Sequence, residues 1–236
     1  KGGIIRFGLV TIKNFGQGIS TSIIEERKKN GKYKSLVDFL ERVKDRNLNK
    51  KSLEALIKAG AMDTFGERGI MLANVEDLLR YSKEKNNMSD NQNSLFIATS
   101  NLTLKNTPPA TMADKLIWEK ELLGLYISGH PLDKYKNIIE KRKENIKHIK
   151  ETLKDGMIAV IAGIVEETKN VTTKNGDTMM FLKLTDFTDS IEAVVFPRIY
   201  AEFKKILVAE KCLAIRGKFS TRNGTPSLIV EKIKEL

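Results

Sequence analysis

The spacing of apolar residues changes near Met157, and this change most constrains what the chain can fold into. Before it, apolar residues recur at the 3.6-residue period of amphipathic helices. After it they alternate at the period of two that is typical of strands, and Asn175-Gly176 supplies a hairpin-turn signal. The sequence therefore predicts an α+β protein in two parts, an all-α domain followed by a β-barrel.

The strand-like part contains three strand patterns, a short helix beginning at Pro197 and two further strand patterns. We expect these strands at residues 157–171, 178–186, 190–196, 212–220 and 228–233. Five strands with a helix after the third are the order of an OB-fold, a small barrel that binds oligonucleotides or oligosaccharides. Another small barrel remains possible on this pattern alone.

The helical part begins with a helix-turn-helix pattern. We expect helices over 4–12 and 19–29 around the turn Asn14–Gly18, and further helices over 36–43 and 48–59. Polar residues and a Pro-Pro pair then predict a long loop. Helical patterns over 112–127 and 133–142 follow. The predicted division is a helical domain (1–82), a polar loop (83–114), a helical connector (115–156) and the barrel (157–236).

Charge and composition narrow the class of protein. The 41 basic and 30 acidic residues give a net charge of +11, and residues 1–60 alone carry 14 basic and 6 acidic residues, or +8. Such a block indicates either phosphate-backbone binding or a solvated face. One Cys and two His exclude an internal disulfide and argue against a zinc enzyme. No apolar run is long enough for a membrane span, so we expect a cytoplasmic protein without membrane partners.

The turn Gly16-Gln17-Gly18 has the chemistry of a helix-hairpin-helix DNA binder. Glycines allow backbone N–H groups to approach a phosphate, and the helix N-terminus adds a partial positive charge. Lys13 and Arg27 are candidates to add full charges. These contacts would not read base sequence. The alternative is a helix connection in which glycine permits close packing.

Four segments resemble the alpha subunits of bacterial DNA polymerase III, the C-family replicative polymerases. They are FGLVTIKNFGQG (7–18), the stretch from SLVDFLERV to NKKSLEALIKAGAMDTFG (35–66), WEKELLGLYISGHPLDKY (118–135) and GDTMMFLKLTDFTDSIEAVVFP (176–197). The resemblance is collinear over nearly the whole chain. The third segment is the most specific.

The resemblance implies the C-terminal part of a DNA-directed DNA polymerase, which serves processive replication with other replisome subunits. It implies a tandem helix-hairpin-helix domain on double-stranded DNA, a sliding-clamp peptide and an OB domain near single-stranded template. One departure is Asn14, where the family has the first hairpin glycine. Asn tolerates left-handed dihedrals, so we expect the turn to survive with a weaker backbone approach to phosphate.

The clamp peptide is expected at Gln92, Leu95 and Phe96, which fit the pattern Gln-x-x-Leu-Phe. In this pattern the Gln amide hydrogen-bonds at the mouth of a pocket that Leu and Phe fill. Two large apolar residues in a polar loop need a partner. The alternative is that Leu95 and Phe96 pack on the core of the chain itself.

No catalytic residues and no cofactor are expected in this chain. In the family, the carboxylates that hold two Mg²⁺ ions lie in a palm domain upstream of these segments. Asp186 and Asp189 are interpreted as turn formers rather than metal ligands. His130, beside Gly129 and Pro131, is interpreted as a turn residue.

Single-strand contacts in the barrel are expected on the second strand and its neighbouring turns. The candidates are Lys169, Lys174, Phe181, Lys183 and Arg222. Alternation alone does not say which face of the strand is the core, so Phe181 is either buried or available for stacking.

Two other functions remain open from the residues alone. One is a non-polymerase repair or recombination accessory module that pairs the same two folds. The other is a synthetase whose OB domain binds a tRNA anticodon, but this class needs a nucleotide-binding domain, and the sequence contains no Gly-rich phosphate loop followed by Lys-Ser/Thr.

Overall fold

The computed structural model describes residues 7–90, 102–142 and 144–236. They form two compact units, Lys1–His130 and Pro131–Leu236, each of which has its own hydrophobic core. The first unit is helical in its described residues, and the second contains a closed five-stranded barrel. The predicted α+β class is thus confirmed. No helix in the described ranges is long and apolar enough to cross a membrane.

The first unit is built from six helices in its described residues. They are α1 (Gln17–Asn30), α2 (Leu36–Arg42), α3 (Lys50–Lys58), α4 (Arg68–Ala73), α5 (Val75–Asp90) and α6 (Met112–Leu123). Its core includes the fully buried Leu40, Leu53, Ile57 and Leu78 from α2, α3 and α5.

The segment before the hairpin is not an α-helix in its described part. Leu9–Thr11 forms one 3₁₀ turn, and the Lys13 N–H donates instead to the Leu122 carbonyl of α6 at 2.9 Å. The β-branched run from Val10 to Ile12 has low helix propensity, which explains why the prediction over 4–12 was wrong here.

The predicted loop over 83–114 is partly structured. Helix α5 continues to Asp90, because its buried Tyr81 and Ser82 hold the preceding turn on the core. Residues 91–101 lie outside the described part of the chain. Beyond them, Leu102 and Leu104 pack against the same core. The Asn74 side chain then pairs with both backbone groups of Lys105, accepting from its N–H at 2.8 Å and donating to its carbonyl at 3.0 Å.

The predicted connector 115–156 is divided between the two units. Leu122 of α6 lies in the first core, whereas Ile146 and Ile149 of α8 (Ile146–Thr152) lie fully buried in the second. Helix α6 ends at Leu123, before the predicted 127, because Gly124 adopts a left-handed conformation. Over 133–142, the predicted single helix is a 3₁₀ turn followed by α7 (Lys136–Glu140).

The barrel follows the predicted order of elements. Its strands are β1 (Ile158–Thr172), β2 (Thr178–Thr185), β3 (Ser190–Val195), β4 (Cys212–Ser220) and β5 (Ser227–Glu235), with α9 (Pro197–Phe203) between β3 and β4. The strands close in the order β1-β2-β3-β5-β4. All pairs are antiparallel except β3 with β5.

One glycine allows β4 and β5 to meet closely. The register between these strands shifts between Arg216 and Gly217. A Cβ atom added to Gly217 would lie 2.3 Å from the Ile229 carbonyl oxygen, inside van der Waals contact with backbone. The absence of a side chain at this position therefore permits the barrel to close.

Candidate nucleic-acid interfaces

The first hairpin, residues 12–18, presents the N-terminus of α1. Asn14 adopts a left-handed backbone with φ of 66°, and the buried Phe15 anchors the turn in the core. Asn14 thus takes the dihedral that the missing glycine would supply. Gly16 is the N-cap residue and makes no side-chain cap.

The start of α1 is open to an anion. Lys13, Gly16 and Gly18 are all exposed. A Cβ atom at Gly16 would meet nothing within 4 Å, and one at Gly18 would meet only Asn47 Nδ2, at 3.7 Å. The first N–H groups of a helix have no intrahelical acceptor and carry partial positive charge, and no acidic residue occupies the first turn of α1. Lys13, Gly16 and Gly18 are therefore exposed around a helix start that carries partial positive charge.

A second loop, residues 43–49, leads into α3 and lies beside the first hairpin through Asn47. Ser22 of α1 donates to the Asp45 carboxylate at 2.5 Å, and Asp45 also accepts from the Asn47 N–H at 2.8 Å. These two hydrogen bonds lower the pKa of Asp45, and the bond from Ser22 has the larger effect. They hold the loop so that Asn47 lies next to Gly18.

This second loop and the start of α3 supply cations that the sequence prediction did not single out. Arg46 and Lys51 are exposed and form no ion pair within the described part of the chain. Lys50 pairs with Glu76 at 2.8 Å, which offsets its charge. The basic run KDRNLNKK (44–51) is the sequence feature that could have indicated these cations. Only the fold shows that Asn47 of this run lies next to Gly18.

The two helix starts differ in whether they are capped. At the start of α3, Asn49 and Ser52 form a reciprocal capping box that satisfies backbone N–H groups. The start of α1 lacks such a cap. The start of α1, unlike the start of α3, therefore has backbone N–H groups available to donate to a phosphate.

Arg27 lies away from the start of α1. It is exposed in the last turn of α1, about 15 Å along the helix axis from Gln17 by the rise of an α-helix. The structure brings Lys13, Gly16 and Gly18 together and leaves Arg27 at the opposite end.

The barrel has an open groove of about 580 Å³ across β1, β2 and β3, here called the barrel groove. Met180, Leu182 and Leu184 face the barrel interior and are buried, so Phe181 and Lys183 lie on the outer face. Phe181 is half-buried and lines the groove. The remaining lining residues include Lys150, Glu167, Lys169, Lys183, Glu192, Thr225 and Pro226.

The predicted residues in the groove lie side by side. Lys169 of β1 is directly opposite Phe181 of β2, and Val194 of β3 flanks Phe181 on its other side. An aromatic ring beside a lysine on a sheet surface can stack on a base while the ammonium group approaches its phosphate.

The charges of the barrel groove are nearly balanced. Lys183 pairs with Glu166 at 3.0 Å, and the hydrogen bond that Lys183 donates to this carboxylate raises the pKa of Lys183. Lys150, which the sequence prediction missed, pairs with Asp189 at 2.7 Å. Within the described residues, Lys169 is the lining lysine without an ion pair.

Lys174 and Arg222 lie in the loops rather than in the groove. Lys174 is exposed in the β1–β2 turn, and Arg222 is exposed in the β4–β5 connection. Asp155 accepts hydrogen bonds from the Thr221 N–H and the Ser220 hydroxyl, which together with nearby Arg222 lower its pKa. The charge of Arg222 is thus partly offset.

The remaining predicted residues divide into two groups. Gln92, Leu95 and Phe96 lie outside the described residues. Asp186 acts as a turn former, since its carboxylate accepts from the N–H groups of Thr188 and Asp189. Within the described ranges, no group of three His, Cys, Asp or Glu residues is arranged to hold a metal.

Both units match families of nucleic-acid-binding domains. Residues 1–70 match a helix-hairpin-helix motif family, and residues 159–236 match an OB-fold nucleic acid binding domain family. Yeast Rim1, a mitochondrial single-stranded DNA binding protein, is similar in structure over 35% of this chain and 97% of its own, with a TM-score of 0.30 and 14% identity. That score carries no argument about function. By its two domain matches, the chain is a helix-hairpin-helix and OB-fold protein.

Relatives identify the family. The chain is 41% identical to a DNA polymerase III subunit alpha of Aquifex aeolicus over 90% of its length and 34% identical to that of Treponema pallidum over 99%. It spans 17% and 21% of these relatives. The chain belongs to the DNA polymerase III alpha family and represents its C-terminal region.

Proposed function

We propose that this region holds DNA for a processive replicative polymerase. In this proposal the first unit binds the backbone of the duplex product, the barrel groove binds single-stranded template, and residues 92–96 bind the sliding clamp. The parent protein would be a DNA-directed DNA polymerase of the cytoplasm, with its Mg²⁺-binding carboxylates outside this chain and other replisome subunits as partners. Similarity to polymerase subunits over most of the chain favours this role over a repair accessory module.

The observation that carries the duplex proposal is the uncapped, exposed start of α1. Lys13 precedes it in the hairpin, and the loop whose Asn47 lies next to Gly18 contains the exposed Arg46 and leads into α3 with the exposed Lys51. These groups contact phosphates rather than base edges, so we expect binding without sequence preference. Each neutralised phosphate should steepen the slope of log affinity against log salt by roughly 0.9.

Duplex affinity measured over a salt series tests this proposal. Gly18→Glu with Lys13→Ala should weaken binding and make it less salt-dependent, because a carboxylate then faces the helix start. Gly66→Glu with Lys83→Ala makes the same charge change at exposed positions away from the hairpin and should bind nearly as the wild type does. Equal affinity for both double variants would remove the duplex proposal.

Phe181 is the test of the single-strand proposal. Stacking of one base on an aromatic side chain is worth about 1–3 kcal/mol, so Phe181→Ala should lower single-strand affinity by an amount in that range. Phe196→Ala removes an exposed ring that does not line the groove and serves as the control. Because the groove is nearly neutral, we expect only weak salt dependence, and an unchanged affinity for Phe181→Ala would contradict the proposal.

The clamp proposal is supported by the pattern Gln-x-x-Leu-Phe and by the family, and it is tested by binding to the clamp. Replacing Leu95 and Phe96 together with Ala should cost several kcal/mol of clamp affinity, by hot-spot magnitudes of about 2 or more each. The melting temperature and the duplex affinity should stay the same. A lower melting temperature with intact clamp binding would assign the pair to the core.

A further inference from the structure

The first unit contains a second surface that the proposed DNA contacts do not use. This is a groove of about 550 Å³, here called the aromatic groove. Its apolar lining includes Ile23, Tyr33, Phe39, Leu56, Met62 and Phe65. Ile23, Phe39, Leu56 and Met62 form a buried floor, while Tyr33 and Phe65 are half-buried at its sides.

The walls of the aromatic groove are held in place without a ligand. The Tyr33 and Phe39 rings meet edge to face with their centres 5.1 Å apart, and the centres of the Phe39 and Phe65 rings are 6.2 Å apart. The Tyr33 hydroxyl donates to the Ile23 carbonyl at 2.9 Å, and the Arg42 guanidinium lies 4.4 Å from the Tyr33 ring centre. A partner would therefore enter a preformed site and would not have to order it.

The rim of the aromatic groove is cationic. Arg27 and Lys32 line it and are exposed, and they belong to the basic run RKKNGKYK at 27–34. The nearby carboxylates, Glu26 and Asp38, both pair with Arg42 at 3.0 Å, so its single positive charge offsets one of their two negative charges and both side chains point toward it. No acidic side chain in the described part of the chain lines the groove.

An apolar floor inside a cationic rim distinguishes this site from the DNA surface. A phosphate backbone pairs with the rim but has nothing to place on buried aliphatic and aromatic side chains. The rim also lies about 15 Å along α1 from the first hairpin. A peptide with a bulky apolar side chain flanked by carboxylates matches both features, since such anchors fill desolvated pockets while rim charges steer association.

We propose that the aromatic groove docks an acidic peptide segment of a partner protein, with one bulky apolar side chain inserted between Tyr33, Phe39 and Phe65. Carboxylates on either side of that anchor pair with Arg27 and Lys32. This site is independent of the proposed DNA contacts and of residues 92–96.

Fluorescence anisotropy with three synthetic peptides tests the proposal on the full chain. The first peptide carries a central phenylalanine among aspartate and glutamate residues. The second replaces every acid with its amide, and the third replaces the phenylalanine with alanine. We expect the first to bind at least about tenfold more tightly than either of the others, the loss expected when a hot-spot group is removed.

Two variants of the chain locate the site. Ala61 is exposed and lines the groove, so Ala61→Phe should fill it and weaken peptide binding about tenfold without touching the hairpin. Arg27→Glu with Lys32→Glu should weaken binding and abolish its salt dependence. The matched control is Lys204→Glu with Lys205→Glu, an equal charge change at exposed barrel positions.

Each outcome decides the matter. If Ala61→Phe lowers the melting temperature, the double variant Arg27→Glu with Lys32→Glu, whose positions are exposed, tests the site instead. Equal binding of the acidic, amide and alanine peptides overturns the proposal. A loss of duplex DNA affinity in Ala61→Phe, with no preference for the acidic peptide, overturns it too and assigns the groove to the DNA surface. If the variants lose peptide binding but keep their affinity for duplex DNA, the duplex proposal is unaffected.

Discussion

Glu119 is a carboxylate with no exposed surface, near the start of the segment 118–135, whose sequence is most specific to the family. Its two oxygens accept from the Arg68 guanidinium at 2.8 Å, the Ser128 hydroxyl at 2.5 Å and the N–H groups of Ile127 and Ser128 at 2.7 and 2.9 Å. One side chain thus fixes the turn after α6 against α4. Part of that specific sequence therefore serves folding.

Glu119→Gln should destabilise the first unit strongly. It removes one of the two carboxylates that pair with the buried Arg68, the other being Asp63 at 2.7 Å, and weakens the acceptor for three other donors. We expect a cost of about 1–3 kcal/mol, the usual magnitude when a buried hydrogen-bonding partner is lost. Chemical denaturation measures the loss in the free energy of unfolding. Glu121→Gln, at an exposed position of the same helix, should change it by less than about 0.5 kcal/mol. Similar values for the two variants would contradict the assigned role of the pair.

The same carboxylate predicts a dependence on pH. Burial raises the pKa of Glu119, but hydrogen bonds from Ser128, Ile127 and Arg68 outweigh burial and hold the pKa below 4.5. Because the pKa is lowered in the folded state, the stabilisation is complete above pH 4.5 and is lost as pH falls toward the folded-state pKa. Glu119→Gln should lose less stability over this acid range than the wild type, as unfolding curves at successive pH values would show. Parallel curves would refute this.

Asn14 tests how far the first hairpin tolerates its departure from glycine. Its φ of 66° disfavours a Cβ-bearing residue that lacks a side-chain amide, so Asn14→Ala should destabilise by about 1–2 kcal/mol. Asn14→Gly should keep the stability and strengthen duplex binding, because the backbone can then approach a phosphate more closely. Denaturation and DNA titration measure the two effects. Weaker DNA binding by Asn14→Gly would show that the Asn side chain itself contacts DNA.

At the scale of elements, the barrel depends on the close approach of β4 and β5. Gly217→Ala would place a Cβ atom 2.3 Å from the Ile229 oxygen and 2.9 Å from Leu228 Cγ. Because the first of these is backbone, the strands must separate, and we expect a loss of at least about 1–3 kcal/mol by the usual magnitude of overpacking. Thermal unfolding of the variant checks this.

Gly16→Ala is the matched control for Gly217→Ala. Its new Cβ meets nothing within 4 Å, and its φ of −73° suits any residue. Because Ala is a poorer N-cap residue than Gly, we expect a loss of up to about 1 kcal/mol, smaller than the loss at Gly217. Equal destabilisation at both glycines would show that lost backbone freedom, not the steric contact, determines the cost at Gly217.

Elements with a strong local signal were predictable from the sequence. The strands fall within a few residues of their predicted bounds, because alternation and Asn175-Gly176 are local features. The pairing of Lys183 with Glu166 was not predictable, since it depends on the register of β1 against β2. The position of Asn47 beside Gly18 depends likewise on the Ser22–Asp45 hydrogen bond, which joins parts of the chain 23 residues apart.

At the scale of the whole molecule, the two cores share no residue. The first core lies within the unit Lys1–His130. The second core includes Ile146 and Ile149, which sequence analysis placed in a connector. Each unit therefore carries the apolar burial that a domain needs to fold by itself.

Separate expression of 1–130 and 131–236 should give two fragments that each unfold cooperatively. A fragment of 157–236, cut at the predicted boundary, loses α8 and its two fully buried isoleucines. By the magnitude of large core truncations it should be less stable than 131–236 by more than about 2 kcal/mol. Calorimetry of the three fragments measures this. Equal stability of the two barrel fragments would show that α8 is dispensable.

The Asn74 side chain is buried and pairs with both backbone groups of Lys105. It therefore joins the end of α4 to the chain that leads into α6, although the two residues are 31 positions apart in the sequence. An amide proton that is donated to a buried acceptor exchanges with solvent only when the surrounding structure opens. Deuterium should therefore replace the Lys105 amide proton only as fast as this part of the helical unit opens, which makes that proton a reporter of local stability.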